Sequence, residues 1–241
     1  MASERLGRYL ARSGVGSRRG VERLMAEGRV MVNGVPAPPQ GMLVDPFHDR
    51  VMVDGATVDA RLRPRRYLAL NKPAGVVSTA SDPQGRPTVL DLVPEAGGLF
   101  PVGRLDIDSR GLILITDDGD LALRLTHPRF RVVKRYRLTV PQAITARQLD
   151  LLRAGPVLDE VATHPLAVSV FRQSSRRTIL EISIAEGRHR EIRRMCSAVG
   201  IPLADLVRVE IGGVRLGTQP EGSVRDLTRG EVERLRQAVH E

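Results

Sequence analysis

The stretch "GRLDIDSRGLILITDDGD", residues Gly103 to Asp120, sets five aspartates around an unbroken aliphatic run, in a chain of 241 residues whose net charge is +9. The run "GLILIT" lacks the polar alternation of a half-exposed strand, so it reads as a strand buried in a sheet. Asp117 or Asp118 then supplies an N-cap for a helix in "DDGDLALRLTHP", which has to end before Pro128. A loop, a buried strand and a capped helix in that order point to a mixed α+β domain.

Other elements follow outward from this core. "YLALNKPAGVV" reads as a strand that ends in a turn at Lys72-Pro73, and "GRPTVLDLVP" as a loop leading into a short apolar segment. "KRYRLTV", "PLAVSVFR" and "TILEISIAEG" are three further strands. In "RHREIRRMCSAVG", Ile192, Met195, Cys196 and Val199 recur at helical spacing, with Gly200 as the stop.

The first quarter of the chain is a separate unit. Leu6, Tyr9 and Leu10 share one helix face, and Arg8 and Arg12 lie on another. Ser17 can cap a second helix with Val21, Leu24 and Met25 as its apolar stripe and Gly28 as its end. "RVMVNGVPA" is a hairpin turning at Asn33-Gly34. Arginine-rich, weakly periodic sequence from about Ala56 to Arg66 marks the junction. The expected division is a small domain of helices on a sheet over 1–60, a linker at 61–66 and a larger mixed α+β domain over 67–241.

Composition narrows the function. Lys and Arg number 37 against 28 for Asp and Glu, which favours a polyanionic partner, and no run reaches the roughly 18 apolar residues of a membrane span. Lys72 and Lys134 are the only lysines, so nearly all cations are planar guanidinium forks suited to phosphate. Aromatic residues make up 3%, too few for a base-stacking platform. Cys196 is the only cysteine and the five histidines stand apart, so neither an intrachain disulfide nor a zinc site is expected.

The acidic loop does not fit a calcium site: in an EF-hand register Arg110 falls where an oxygen ligand is required. Nor do Asp106 and Asp108, two apart on one loop, suit the paired carboxylates of a glycosidase. Asp108, Asp117 and Asp118 suit turn and cap bonds. Asp106 differs because it follows "GR" and precedes the buried strand, at the rim of a sheet among arginines, where a carboxylate can act as nucleophile or base.

Four ordered motifs carry a resemblance. "LNKPAGVVST", "GRPTVLDLVP", "PVGRLDIDSRGLILITDDGDLALRLTHPRFRVVKRY" and "EGRHREIRRMCSAVG" resemble the motifs of the RsuA/RluB-type pseudouridine synthases. "RLGRYLARSGVGSRRGVERLMAEGRVMVNG" resembles the S-four RNA-binding domain. The resemblance implies that 67–241 is a catalytic domain with a central antiparallel sheet flanked by helices, which isomerises a uridine without a cofactor or metal, acting on ribosomal RNA or a ribosome assembly intermediate; a cytoplasmic protein, in keeping with its single cysteine, and a monomer are expected. It implies that Asp106 is the catalytic aspartate, that Arg193 pairs with it, and that Tyr136 packs against the flipped base. Arg104, Arg188 and Arg190 would hold substrate, and Arg5, Arg8, Arg12, Arg18, Arg19 and Arg23 would grip structured RNA. "LTHPRF" and "EGRHREIRRM" lean towards the RluB side, hence a uridine of the large-subunit (23S) rRNA, with small-subunit (16S) rRNA as the alternative. Arg110 and His189 depart from the pattern, where a small residue and an asparagine are commoner. A non-catalytic assembly factor is the reading from another class. "IGGVRLG" does not match a phosphate-binding glycine loop.

Overall fold

The computed structural model describes residues 3–16, 18–59 and 64–239, with the Arg18 side chain also outside the description. The expected Ser17 cap, the Arg18 contact and residues 61–63 of the linker therefore fall outside the described residues.

Helices α1 (Leu6–Arg12) and α2 (Arg18–Ala26) pack together on a sheet of four short strands, ordered Val35–Pro36, Val30–Val32, Val51–Val53, Ala56–Val58. Leu6, Tyr9, Leu10, Val21 and Met25 meet Val30, Val32 and Val51 in one small core, as the helical spacing predicts. Asn33 and Gly34 both take positive φ, 53° and 83°, which is what the two-residue turn of this hairpin requires. Ala56–Val58 belongs to this sheet, so the junction begins later than the loss of periodicity at Ala56 suggests.

The larger region is built on a nine-stranded sheet. Its main path runs Ala167–Ser174, Arg177–Ile184, Lys134–Val140, Asp205–Ile211, Arg110–Thr116, Tyr67–Lys72, Val224–Asp226. Phe100–Val102 pairs with Arg110–Thr116, and Val214–Arg215 folds back on Asp205–Ile211. The α+β architecture is as expected, but the sheet is mixed: Arg110–Thr116 and Asp205–Ile211 run parallel, aligned at Val207 with Arg110 and Arg208 with Gly111. Every other pairing in it is antiparallel. Gly111 makes the parallel contact possible. At φ 102° it brings its Cα so close that a Cβ there would lie 2.4 Å from the Arg208 carbonyl oxygen.

The buried run behaves as read, with Leu112 to Ile115 at most 2% exposed. Apolar residues pack on both faces of the sheet. Ile113, Ile115, Leu138, Leu180 and Ile182 face α5 (Glu191–Ala198), while Leu112 and Leu114 face α3 (Gly119–Thr126) and α6 (Arg229–Gln237). Asp118 is the α3 cap, accepting the Leu121 N–H at 3.2 Å. The segment "IGGVRLG" is a hairpin turn at Gly212-Gly213.

Candidate active site

Asp106 lies in the turn between Phe100–Val102 and Arg110–Thr116, closed by a hydrogen bond from the Ser109 N–H to the Asp106 carbonyl at 3.0 Å. Its side chain, 24% exposed, opens into a cleft of about 350 Å³. Arg104, Tyr136, Arg188, His189 and Arg190 line the same cleft. The side chains come from three places: the turn, the strand Lys134–Val140, and the segment that enters α5. Tyr136 is 7% exposed, its ring built into the wall.

The electrostatics of the turn differ from the expectation in one respect. Arg193, implied as the partner of Asp106, reaches Asp108: its Nη2 donates to the Asp108 carbonyl at 3.0 Å and to Ser109 Oγ at 3.2 Å, and its Nε lies 3.4 Å from the Asp108 carboxylate. The cation facing Asp106 is Arg190, at 3.8 Å. Arg190 also forms a two-pronged pair with Asp108, at 3.0 and 3.1 Å. The reason lies in the start of α5. Arg190 is its left-handed N-cap residue, φ 49°, and projects towards Asp106, whereas Arg193 stands within the first turn and lies along the 106–109 turn. Burial pushes the Asp108 carboxyl up, but Arg190 and Arg193 together hold it below its ordinary value. Asp108 therefore does more than close a turn.

Sequence patterns match the RNA pseudouridylate synthase family over residues 66–198 and the S4 domain over residues 4–51. The chain belongs to the RNA pseudouridylate synthase family. It is 43% identical to an uncharacterized RNA pseudouridine synthase of Mycobacterium tuberculosis, over 98% of this chain and 94% of that one. It is 37% identical to the ribosomal large subunit pseudouridine synthase B of Bacillus subtilis, over 97% of this chain and 96% of the relative. A crystal structure of a pseudouridylate synthase superposes with a TM-score of 0.65 at 27% identity, covering 96% of this chain and 99% of the other.

In this pseudouridine synthase the buried Lys72 is a further part of the site. Its Nζ donates to the carbonyls of Pro73 and Ser109 at 2.8 Å each, and reaches that of Ile107 at 3.5 Å. It ties the part of the turn that follows Asp106 to the end of a strand. Burial pushes Lys72 down to about 8, with Asp108 and Asp106 opposing the shift. A compact ammonium fits a ring of carbonyls where a guanidinium fork would not. Its rarity in an arginine-rich chain was the available signal.

Arg110, the departure from the family pattern, points away from the cleft and bridges Asp205 and Glu221, the latter at 2.5 Å. It ties the strand Arg110–Thr116 to its parallel neighbour. His189 is exposed on the cleft rim.

The S4 arginines divide. Arg5, Arg8, Arg19 and Arg23 are exposed, whereas Arg12 is partly buried, paired with Glu4 and set 5.9 Å from the Tyr9 ring centroid. Arg8 also pairs with Asp120 at the start of α3. None of the helices, over the described residues, is long and apolar enough to cross a membrane.

Proposed function

We propose that the chain converts one uridine of ribosomal RNA to pseudouridine with Asp106 as the catalytic group, and that the target lies in large-subunit (23S) rRNA. The observation that carries this reading is the convergence of Asp106, Tyr136, Arg104, Arg188 and Arg190 on one cleft. The target class rests on relatives in Bacillus subtilis and Pseudomonas aeruginosa named ribosomal large subunit pseudouridine synthase B, 37% and 39% identical to this chain.

The reaction breaks the bond between uracil N1 and ribose C1′, turns the base, joins C5 to C1′ and expels the C5 proton, leaving N1 protonated. Substrate and product are isomers, so no oxidant, reductant or cofactor enters. Asp106 has two routes open to it, attack on C1′ or removal of the ribose 2′ proton, and both need its carboxylate at the ribose. Arg190, at 3.8 Å, complements that charge. A base inside a helix offers no access to its glycosidic bond, so it is flipped out at a cost of a few kcal/mol. The Tyr136 ring offers the extruded base an aromatic wall. Arg104 and Arg188, shared between this cleft and the groove beside it, take the backbone. Arg193 acts on the turn that carries Asp106. Arg5, Arg8, Arg19 and Arg23 supply phosphate contacts from the S4 domain, and a monomer in the cytoplasm suffices for this chemistry.

Tritium release from RNA labelled at uridine C5 tests the reading directly, because bond formation at C5 must expel its hydrogen. Release from unmodified 23S transcripts or large-subunit precursor particles by the wild type, and none by Asp106→Ala with RNA binding intact, is the expected result. Release from 16S RNA alone would move the target to the small subunit. Silence on every substrate with tight binding retained would make the protein an assembly factor.

A further inference from the structure

Beside the catalytic cleft lies a larger one of about 830 Å³, of which the proposed reaction uses only the border. The two share Gly103, Arg104, Tyr136, Gly187 and Arg188, so they form one continuous groove. The rest of the larger cleft brings four more cations, Arg129, Arg131, Lys134 and Arg208, against a single acid, Glu186. That acid is already paired with Arg188 at 3.0 Å. The excess positive charge is therefore unbalanced where the groove is deepest in cations.

Arg208 is the most informative of the four. It is 2% exposed, its Nε donates to the Leu112 carbonyl at 2.7 Å, and its buried Nη2 has no hydrogen-bond partner among the described residues. A buried guanidinium nitrogen without an acceptor is costly, and a phosphate oxygen is the acceptor such forks match. Lys134 stands two residues before Tyr136 on the same strand. Its Nζ donates to the carbonyls of Val132 at 3.1 Å and Glu186 at 3.4 Å, and an ammonium has three donors. Burial first, then the charge of Arg208, pushes Lys134 down to about 8. An arriving anion favours the charged ammonium and so opposes both effects. Arg131 is exposed in left-handed backbone, φ 48°, directly after the turn Pro128–Phe130. The Arg129 guanidinium lies 4.4 Å from the Phe130 ring centroid, a flat cation held on an aromatic face.

We propose that this second cleft binds the nucleotide next to the target uridine on the same RNA strand, with its phosphate held by Lys134, Arg131 and Arg208. The inference rests on the uridine reading of the catalytic cleft. A strand that delivers one flipped nucleotide to Asp106 has to lead its neighbour away from Tyr136, and the groove continues in that direction. A free nucleotide would supply the same phosphate chemistry but would not use the continuity of the two clefts.

The test uses the full chain with two probes, hexauridylate RNA and uridine 5′-monophosphate, titrated at several salt concentrations. Lys134→Gln and Arg131→Gln are each expected to weaken hexauridylate binding about threefold or more, and to reduce the slope of log K against log salt by about 0.7. Arg129→Gln, at the surface, replaces Lys134→Gln if that variant misfolds. In the wild type, hexauridylate should protect Lys134 from acetylation, read by mass spectrometry, and the monophosphate should protect it far less. Unchanged affinity and salt slope in the variants, with tritium release by the wild type intact, would overturn the inference. Equal protection by the monophosphate would assign the cleft to a free nucleotide and overturn it too. Absence of tritium release from the wild type on rRNA removes the uridine reading itself, and this inference with it.

Discussion

The Lys72 ammonium and the Ser109 carbonyl, 37 positions apart, meet at 2.8 Å and so lock the turn that presents Asp106 to the end of a neighbouring strand. Replacing Lys72 by Met should leave the sheet in place but release that turn. A misplacement of about 1 Å can cost ~100-fold in rate, and a loss of that order in kcat with little change in RNA affinity is expected from single-turnover kinetics.

The same lysine sets a pH signature. Its value in the folded protein is down to about 8, below that of an unfolded lysine. Between that pH and about 10.4 the unfolded chain binds the extra proton, so this group makes stability rise as pH rises through the window. Activity, which needs the ammonium bridge, should fall over the same range. Urea denaturation and turnover measured at pH 7 and pH 9.5 should thus move in opposite directions, and Lys72→Met should flatten its share of both. A parallel rise or fall of the two would contradict the assignment.

Asp108 and Asp106 should separate kinetically. Asp106→Asn is expected to abolish turnover and keep RNA binding. Asp108→Asn removes the partner of both Arg190 and Arg193, and should lower kcat by about 10- to 100-fold through a displaced turn. Equal, complete inactivity of the two variants would indicate that both carboxylates act on the substrate.

Gly111→Ala should be the most damaging small substitution near the site. Its new methyl would meet the Arg208 carbonyl oxygen and amide nitrogen at 2.4 and 2.7 Å, both backbone atoms that cannot rotate away. Separation of the two parallel strands and a loss of about 3 kcal/mol or more are expected, measured by thermal or urea denaturation.

Cys196 should be chemically silent. It is 0% exposed in α5, and burial pushes its thiol up to about 12. Since the thiolate is the reactive form, iodoacetamide should label it only after unfolding. Rapid labelling of the native protein would show that α5 opens, and with it the helix that carries Arg193.

Much of this architecture could be read from local pattern because its causes are local. The stripe of Ile192, Met195 and Cys196, the Asn33-Gly34 turn and the Asp118 cap each rest on residues within one or two turns of each other. Two helices went unread although their signatures were present. Thr145 with Gln148, and Thr228 with Glu231, form reciprocal caps for α4 (Ala146–Ala154) and α6. Their apolar stripes are short, and the caps alone mark the starts. The parallel pairing of Arg110–Thr116 with Asp205–Ile211 had no local trace, since parallel and antiparallel strands share one side-chain period. Asp106 and Tyr136, singled out by motif, line one cleft. The pairing of Arg190 with Asp108 spans 82 positions and depends on a left-handed residue at the start of a helix, which sequence spacing does not encode.

The ion pair between Arg8 and Asp120 joins the S4 helix α1 to the start of α3. Asp120 is in effect a built-in counterion for one of the arginines proposed to meet RNA. A phosphate that takes Arg8 must first displace it, so loading of RNA at this position is an exchange of anions rather than a simple addition. The same side chain is thus claimed both by the seam between the two modules and by the proposed ligand, while the close approach of Gly98 to the Gly14 backbone keeps the modules in contact without it.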